Sequence, residues 1–565
     1  MSKGRPLPGV CAPGLTRRRF LGAAGALAFG PALLHGRDGG PVPAALPVSA
    51  RRESFLNWSG EIRVPDAWTA APRTPQEVAG LADWALDRGW RLRARGMGHG
   101  WSPLLASSGR PLPPALLVDL TAHLDQVRVE GSTLTAQAGA SLDRLWEAAG
   151  AAGLAVASTP APGNLTLGGA LAIGAHGSVL PGPPVQGWTW GSLSNAVLAL
   201  EAVVWDPGTG RHVVRTFGRA DSEIGPLLVH MGRALVTSAT LQLGADVNLR
   251  CLSTTDVPAS ELYAPPALAG PRSFQALAMG SGRVEATWFP FTECPWVRVW
   301  SAEPERPAGS VAHDGPYPYT FANWVGRDDS DAAAAWLRES PSRTPAFLGL
   351  ERALAHAGLD LTGTRDVWGP SRFTTLHVKP STLRYHVSGH AILCRRADLQ
   401  RVASEFHRAV EDLLEAARAR GAFPVNGPVD LRATGLDHAA PGQAEALLSP
   451  IRPRPDHPEW DCAVWAEVLT LPGTPGAMPF YTDLEAWMLG NYTGDYAAVR
   501  VEWAKGWAYS PAGPWTGPGM LEGHIPRGFT EGYGRGWREA LEGLRALDPA
   551  GIFGSPFLDR LTKAR

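Results

Sequence analysis

Two glycine-rich stretches in the first third of the chain combine a flexible backbone with polar side chains. The first runs from Arg95 to Ser102 and sets His99 among three glycines. The second, at 161–177, interleaves its glycines with amide, hydroxyl and imidazole groups. Glycine lets the backbone approach a ligand closely and offer N–H groups to an anion, so both stretches are candidates for ligand binding. Neither has the spacing of a Rossmann or Walker loop, which disfavours those nucleotide sites.

Acidic and basic side chains in strand-like sequence of the second half form another group of candidates. Glu285 lies close to Trp288 and Phe289. Burial among aromatic rings disfavours a charged carboxylate, so we expect a raised pKa for Glu285, unless it is a solvent-facing strand residue. Asp430 and Arg432 are two positions apart, which puts both on one face of a strand. We expect them to form an ion pair that aims the guanidinium at a ligand, or a purely structural salt bridge.

The elements that must position these residues alternate between helix and strand in the first half of the chain. Thr74 is a predicted helix N-cap, with Glu77 as its capping-box partner. The pattern predicts helices over 75–89 and 141–151, the second capped by Ser141, with strands at 90–95 and 115–119 and hairpins at 126–139 and 196–215. The strand at 90–95 leads directly into the first glycine loop.

The sequence after about residue 246 predicts a second domain with an antiparallel sheet. Strand-like runs occur at 283–289, 296–301, 374–378, 386–393 and 462–469. Helices are predicted at 399–418, with Asp398 as N-cap, near 483–489 and within 544–561. The overall prediction is an α+β fold with a first domain at 51–247, a second at 248–512, and a return to the first at 513–565.

Composition excludes some classes of function. The chain of 565 residues has 52 basic and 53 acidic side chains, so it lacks the basic surface of a nucleic-acid binder. The four cysteines after residue 50 show no metal-ligand spacing; they are expected as one or two disulfides or as buried thiols. Twelve of the 22 tryptophans lie between Arg250 and Trp515, which is consistent with a large aromatic core or a wide apolar cavity.

The N-terminus has the pattern of an export signal. Arg17 and Arg18 follow Thr16 and precede a 14-residue apolar run at 21–34. That run is shorter than the roughly 20 residues needed to span a bilayer. The pattern predicts a twin-arginine signal cleaved after Ala44 or Ala50, and hence a secreted, periplasmic or cell-envelope protein. Residues 1–50 are therefore assigned to the signal and a linker.

Together, the two glycine loops resemble the flavin domain of the vanillyl-alcohol oxidase (PCMH-type) family. The first matches its R-G-x-x-H pattern and the second its N-x-T-x-G-G and H-G patterns. The resemblance implies FAD, attached covalently through His99. It also implies cofactor contacts from the two loops, at Arg95, Gly96, Met97, Gly98, Gly100, Trp101, Ser102, Pro162, Gly163, Asn164, Thr166, Leu167, Gly168, Gly169, Ala172, His176 and Gly177.

Six spaced segments narrow the resemblance to the covalent-FAD (class II) bacterial cholesterol oxidases, over about residues 55–558. They lie at 95–104, 161–173, 191–195, 283–292, 426–437 and 500–507. The resemblance implies Glu285 as the active-site carboxylate, Arg432 as the cation near flavin or substrate, and Glu467 as a polar residue of an access channel. Lys505 is expected to contact FAD or to remain solvated. The family usually has Glu where this chain has Asp430, which puts the reach of that carboxylate in doubt.

The implied activity is oxidation of the 3β-hydroxyl of cholesterol-like sterols to a 3-ketone, with Δ5 to Δ4 isomerisation and reduction of O2 to hydrogen peroxide. Alcohol oxidation needs a hydride acceptor, a group that takes the hydroxyl proton, and positive charge. We expect a monomer that contacts a membrane surface transiently to extract sterol. The alternatives are an alditol or aldonolactone oxidase or dehydrogenase on the same scaffold, and a flavin-bearing binding protein without turnover.

Overall fold

The computed structural model describes residues 43–108, 114–182, 186–381 and 383–563. The predicted twin-arginine segment lies outside the described residues. Within them, helices and strands mix in three main sheets, which confirms the predicted α+β class. No helix in these ranges is long and apolar enough to cross a membrane. Cys251, Cys294, Cys394 and Cys462 are buried free thiols.

The first sheet has four strands in the order β1-β2-β4-β3 and carries the first glycine loop. Its strands are β1 (Ala50–Leu56), β2 (Arg63–Ala70), β3 (Arg91–Arg95) and β4 (Ala115–Asp119). The helix Pro75–Arg88 begins after Thr74, whose hydroxyl accepts from the Glu77 N–H at 3.1 Å. The Glu77 carboxylate accepts from Arg73 N–H rather than from Thr74, so the predicted capping box is only half formed.

The second sheet has five antiparallel strands in the order β5-β6-β10-β8-β9, and the two predicted hairpins are present. The strands are β5 (Val127–Glu130), β6 (Thr133–Gln137), β8 (Val197–Asp206), β9 (Arg211–Gly218) and β10 (Leu235–Gln242). A two-stranded ladder joins β7 (Leu154–Ala155) to β11 (Gly244–Ala245). Short helices complete this half, at Leu142–Ala151 with Ser141 as N-cap, Leu167–Ala172 with Thr166 as N-cap, and Gly225–Leu228.

The third sheet has nine strands in the order β15-β16-β12-β14-β13-β18-β19-β17-β20, antiparallel except at β15–β16. The strands are β12 (Asn248–Thr254), β13 (Val284–Trp288), β14 (Trp296–Ala302), β15 (Val311–Ala312), β16 (Asp366–Pro370), β17 (His386–Cys394), β18 (Val429–Gly435), β19 (Cys462–Thr470) and β20 (Ala497–Val501). Four of the predicted strands are confirmed. The fifth, 374–378, is wrong, because Thr375 donates its hydroxyl to the Ser371 carbonyl and the chain turns through a short helix, Ser371–Thr374.

Helices cover one face of the nine-stranded sheet. Val284, Leu431 and Val464 point to that face and pack with the helices Leu399–Ala419 and Ala477–Asn491. Asp398 occupies the N-cap position of the first helix, but its carboxylate accepts from Arg395 at 2.6 Å instead of capping. The other helices of this half are Ala259–Leu262, Phe274–Ser281, Arg327–Glu339 and Thr344–Thr362.

The C-terminal segment returns to the core of the first half. Trp503, Trp507, Trp537 and Leu544 share one buried cluster with residues of the five-stranded sheet. The prediction for 544–561, a helix followed by a Pro- and Phe-bearing tail, is wrong in its bounds. The structure has two main helices here, Gly536–Leu547 and Pro556–Leu561, after the short helix Ile525–Gly528. The Asp548 carboxylate accepts from the backbone N–H groups of Ile552 and Phe553, which ends the first helix and turns the chain.

Candidate active site

Two cavities meet where the glycine loops face the nine-stranded sheet. The glycine-loop cavity is lined by 96–102 and by parts of 160–176. The sheet cavity lies against the other face of the nine-stranded sheet, opposite the helices Leu399–Ala419 and Ala477–Asn491, and is lined in part by the helix Thr344–Thr362. Seven residues line both cavities: His99, Trp101, Ala161, Pro162, His176, Arg432 and Lys505. We call these seven residues the junction. A cofactor in the first cavity would meet a substrate in the second there.

The first glycine loop follows β3 and forms one wall of the glycine-loop cavity. Gly98 has a φ of 72°, which favours glycine, and a Cβ at Gly96 would lie 2.3 Å from Thr166 Oγ1. The N–H groups of Trp101 and Ser102 donate to the Ala504 carbonyl at 2.7 and 3.2 Å. The loop is therefore held between the second glycine loop and the C-terminal segment. Met97 and Gly100 also line the cavity.

Arg95 does not line either cavity. Its guanidinium pairs with Glu53 and lies 5.9 Å from the centre of the Phe55 ring. The structure therefore gives this residue a structural role, in which its side chain links the end of β3 to β1, and brings the rest of the predicted R-G-x-x-H segment to the cavity.

His99 stands at the junction, with its ring centre 6.0 Å from that of Trp58 in a stacked arrangement. Burial lowers the pKa of His99 to about 4, against the opposing effect of the nearby Asn164 amide. The imidazole is therefore neutral at physiological pH, and a neutral ring nitrogen has a free electron pair for bond formation. This is the state that covalent attachment of a cofactor requires.

The second glycine loop divides into residues that face the cavities and residues that support them. Pro162, Thr166, Gly169, Ala172 and His176 line the glycine-loop cavity, and Gly177 lines the sheet cavity. The backbone N–H groups of the supporting residues Gly163, Leu167 and Gly168 donate to Tyr317, Ala140 and Ala138.

Asn164 and His176 are the polar groups of this loop. The Asn164 amide oxygen is buried and has no hydrogen-bond partner in the described part of the chain. His176 stacks on Trp465 with ring centres 3.5 Å apart, and its Nε2 lies 3.6 Å from Glu502. Burial lowers the pKa of His176.

Glu285 anchors a charged cluster in the sheet cavity. Its carboxylate accepts from Ser178 Oγ at 2.6 Å and Arg298 Nη2 at 3.0 Å, and lies 3.3 Å from His377 Nε2. Burial alone would raise the pKa of Glu285, but His377 and Arg298 hold it well below the usual value. The predicted raised pKa is therefore wrong, because the sequence does not show which cations surround the carboxylate.

Arg432 pairs with Glu467 and not with Asp430. Its Nη2 lies 2.5 Å from Glu467 Oε1, and Lys505 Nζ lies 3.3 Å from the same oxygen. In the β18–β19 ladder Glu467 lies opposite Asp430 and diagonal to Arg432, and the long Arg432 side chain spans the roughly 7–8 Å between diagonal positions. The predicted Asp430–Arg432 ion pair is therefore wrong. Asp430 lines the sheet cavity, and its Oδ1 is buried without a hydrogen-bond partner among the described residues.

Glu467 and Lys505 belong to this buried network. Glu467 is 4% exposed, and burial raises its pKa to about 7, although Arg432 and Lys505 act against that shift. Lys505 Nζ also lies 4.0 Å from the centre of the Trp101 ring. Glu467 is therefore a partner of two cations beside the cofactor cavity, and Lys505 is positioned by it rather than solvated.

Sequence reasoning missed Ser178, Arg298 and His377, which all contact Glu285. The register could have revealed Arg298, since it lies in a predicted strand and pairs with Glu285 across β13 and β14. No periodic signal marks His377, which lies in irregular chain after a helix.

The residues of the glycine-loop cavity fit FAD. The loop residues 96–102 line the cavity with a glycine-rich backbone. The neutral His99 offers an attachment point, and the unpartnered Asn164 oxygen offers a free hydrogen-bond acceptor. Arg432 and Lys505 supply positive charge where the reactive end of such a cofactor would meet the substrate.

The chain matches two family models. The model described as "Cholesterol oxidase, substrate-binding" matches residues 248–563, and the model described as "FAD binding domain" matches residues 67–209. Among the curated proteins, none matches this chain.

Solved structures give a consistent result. A solvent-stable cholesterol oxidase is 43% identical with a TM-score of 0.90, over 92% of this chain and 100% of that one. Cholesterol oxidase from B. sterolicum is 38% identical with a TM-score of 0.89, over 92% and 99%. GilR, an oxidoreductase of gilvocarcin biosynthesis, shares only the fold, at 15% identity and a TM-score of 0.54 over 89% and 96%. With one family model matching more than half of its length and a relative 43% identical across it, this chain belongs to the family of FAD-dependent cholesterol oxidases.

Proposed function

We propose that this protein oxidises the 3β-hydroxyl of cholesterol-like sterols to a ketone and passes the electrons to O2, giving hydrogen peroxide. The chain is an FAD-dependent oxidoreductase acting on a CH–OH group, as its family shows. The observation that supports a sterol is the distribution of polar groups in the sheet cavity.

The sheet cavity is charged at one end and apolar at the other. Glu285, Arg298, His377, Arg432 and Glu467 cluster beside the junction. The opposite end is lined mainly by Phe289, Phe321, Leu354, Leu383, Val387 and Leu469. A rigid apolar molecule with a single hydroxyl at one end matches this pattern. A polyol would leave several hydroxyl groups unpaired among apolar side chains, which is costly and counts against the alditol alternative.

The residues at the charged end have distinct roles in this proposal. FAD, when bound, supplies the hydride acceptor. Glu285 remains ionised at neutral pH and accepts the hydrogen bond, and then the proton, of the substrate hydroxyl. Arg432 and Lys505 stabilise negative charge that develops beside the junction.

Isomerisation of the double bond is the second proposed step. Once the hydroxyl proton has left Glu285 and been consumed in the reduction of O2 to hydrogen peroxide, Glu285 would remove a proton from C4 of the Δ5-3-ketone and return it to C6, so that isomerisation consumes no net proton. His377 and Ser178 hold the carboxylate in place during both transfers. Because its pKa is lowered, Glu285 is a weaker base than the sequence suggested. The lowered pKa also favours transfer of the proton from Glu285 to C6 of the product.

Covalent attachment and export are proposed on separate grounds. The neutral His99 at the junction supports a covalent bond to FAD. Acid precipitation should leave the flavin in the protein pellet of the wild type and release it from His99→Ala.

The twin-arginine pattern at 16–21 supports export, and replacing Arg17 and Arg18 by lysine should retain the protein inside the cell.

A product assay tests the activity. Purified holoprotein is incubated in air with cholesterol in detergent, and in parallel with xylitol. We expect the ultraviolet band of a conjugated enone and equimolar hydrogen peroxide from cholesterol only. A 3-ketone without conjugation would remove the isomerisation step, and peroxide from xylitol alone would replace the sterol by a polyol.

A further inference from the structure

A polar pair lies at the apolar end of the sheet cavity, away from the charged cluster. Glu351 is on the helix Thr344–Thr362, and Tyr385 directly precedes β17. The Tyr385 hydroxyl donates to Glu351 Oε1. Glu351 Oε2 is buried and has no hydrogen-bond partner in the described part of the chain, and both residues line the cavity.

The strand register places this pair far from Glu285. Arg432 and Asp430 lie on the cavity face of β18 and Pro428 directly precedes that strand, at about 7 Å for each two residues. Val387 of β17 pairs with Leu469, whose N–H donates to the Pro428 carbonyl, and Tyr385 lies two residues before Val387, beyond the end of β17. Glu351 and Tyr385 are thus at the Pro428 end, about 14 Å or more along the strands from Arg432.

The surroundings of Glu351 make a free carboxyl oxygen unfavourable. Leu354, Ala355, Phe321 and Leu383 line the same part of the cavity. Burial raises the pKa of Glu351 to about 8, so the group is protonated at neutral pH and both donates and accepts hydrogen bonds. An unsatisfied buried polar group costs free energy that a hydrogen-bonding ligand recovers.

We propose that Glu351 binds a hydroxyl group carried by the substrate at the end remote from its 3β-hydroxyl, so that sterols with a hydroxylated side chain are preferred over those with a purely hydrocarbon one. The inference rests on the proposed sterol oxidation. It assigns a specificity-determining residue, because Glu351 takes no part in the proton transfers near Glu285.

The test compares 25-hydroxycholesterol with cholesterol in the same detergent. One net hydrogen bond of ordinary strength predicts kcat/KM about tenfold higher for the hydroxylated sterol. In Glu351→Met, which keeps the length but removes both oxygens, the ratio should fall to about one, mainly through loss of 25-hydroxycholesterol activity. Glu351→Gln, which can still donate and accept, should retain part of the preference. Glu339→Gln, at an exposed site on the preceding helix, is the matched control and should leave the ratio unchanged.

The outcomes separate this inference from the proposed function. A wild-type ratio near one, or a Glu351→Met ratio equal to that of the wild type, overturns the role of Glu351 while sterol oxidation stands. Failure of the wild type to oxidise either sterol overturns the sterol assignment and this inference with it. The wild-type ratio and Glu351→Gln keep the test decisive even where Glu351→Met does not fold.

Discussion

Two buried carboxylates lie on the cavity face of β13 and β19, the strands on either side of β18, and their surroundings shift their pKa values in opposite directions. Glu285 is held ionised by His377 and Arg298, whereas burial raises the pKa of Glu467 to about 7. When two groups in one site have pKa values far apart, one keeps a fixed charge near neutral pH while the other can gain or lose a proton. Glu285 is therefore ionised and able to accept a proton throughout the neutral pH range. Glu467 gains or loses a proton near pH 7 and so changes the net charge beside the junction.

Replacing Glu285 tests the first role. Glu285→Gln keeps the shape but cannot accept a proton, so we expect the rate of sterol oxidation to fall about 10²–10⁴-fold. Double-bond isomerisation should be lost with it, so that residual product is the unconjugated ketone. Steady-state kinetics with product analysis measures both effects. Glu305→Gln, at an exposed position after β14, is the control; equal activity of the two variants would contradict the role of Glu285.

The pH dependence of flavin reduction tests the second role. As pH falls through about 7, Glu467 takes up a proton and no longer neutralises Arg432 and Lys505. The added positive charge beside the junction should make flavin reduction by sterol faster at pH 6 than at pH 8. Glu285 does not titrate in this window, because its pKa is well below the usual value. Anaerobic stopped-flow should show that the rate of flavin reduction changes near pH 7 in the wild type and is independent of pH in Glu467→Gln. An unchanged pH dependence in the variant would assign it to another titrating group.

At the scale of elements, the two glycine loops depend on each other. Gly96 fits against Thr166, and the Thr166 hydroxyl accepts from Gly169 N–H at 3.3 Å to cap the helix Leu167–Ala172. The close approach of the loops thus fixes the start of the helix that lines the cofactor cavity. A side chain at residue 96 would disturb both loops at once.

Gly96→Ala is the corresponding prediction. Its Cβ would lie 2.3 Å from Thr166 Oγ1, so the loops must separate, and we expect a large loss of bound flavin per protein chain. Absorbance of the flavin relative to protein measures the loss. Gly80→Ala, in a helix with open space at the Cβ position, should keep full flavin content and add up to about 1 kcal/mol of stability. Normal flavin content in Gly96→Ala would show that the loops tolerate separation.

The elements also show what the sequence can and cannot predict. Strong periodicity identified β13, β14, β17 and β19, the hairpins and the helix Leu399–Ala419. The secondary structure predicted for 374–378 and 544–561 was wrong because Thr375 and Asp548 form side-chain hydrogen bonds to the backbone there. The local pattern of apolar residues gives no sign of such bonds. Glycine motifs located the cofactor cavity, but the partners of Glu285 and Arg432 depend on strand register, which one strand's sequence does not contain.

At the scale of the whole molecule, the last part of the chain holds the cofactor loop against the sheet. The carbonyl of Trp503 accepts from Ser102 Oγ, and that of Ala504 accepts from Trp101 and Ser102 N–H. Farther on, the Ile552 carbonyl accepts from Leu92 N–H and the Phe553 carbonyl accepts from Arg93. The adjoining cavities are therefore built from distant parts of the sequence, which brings a cofactor in one cavity into reach of a sterol in the other.

Anaerobic addition of cholesterol to the yellow holoprotein tests whether a sterol in one cavity reduces a flavin in the other. We predict that the flavin absorbance band bleaches with cholesterol but not with xylitol or a lactone, and that the colour returns when air is admitted. Bleaching by xylitol without bleaching by cholesterol would contradict the sterol assignment, although the fold and the cofactor would remain.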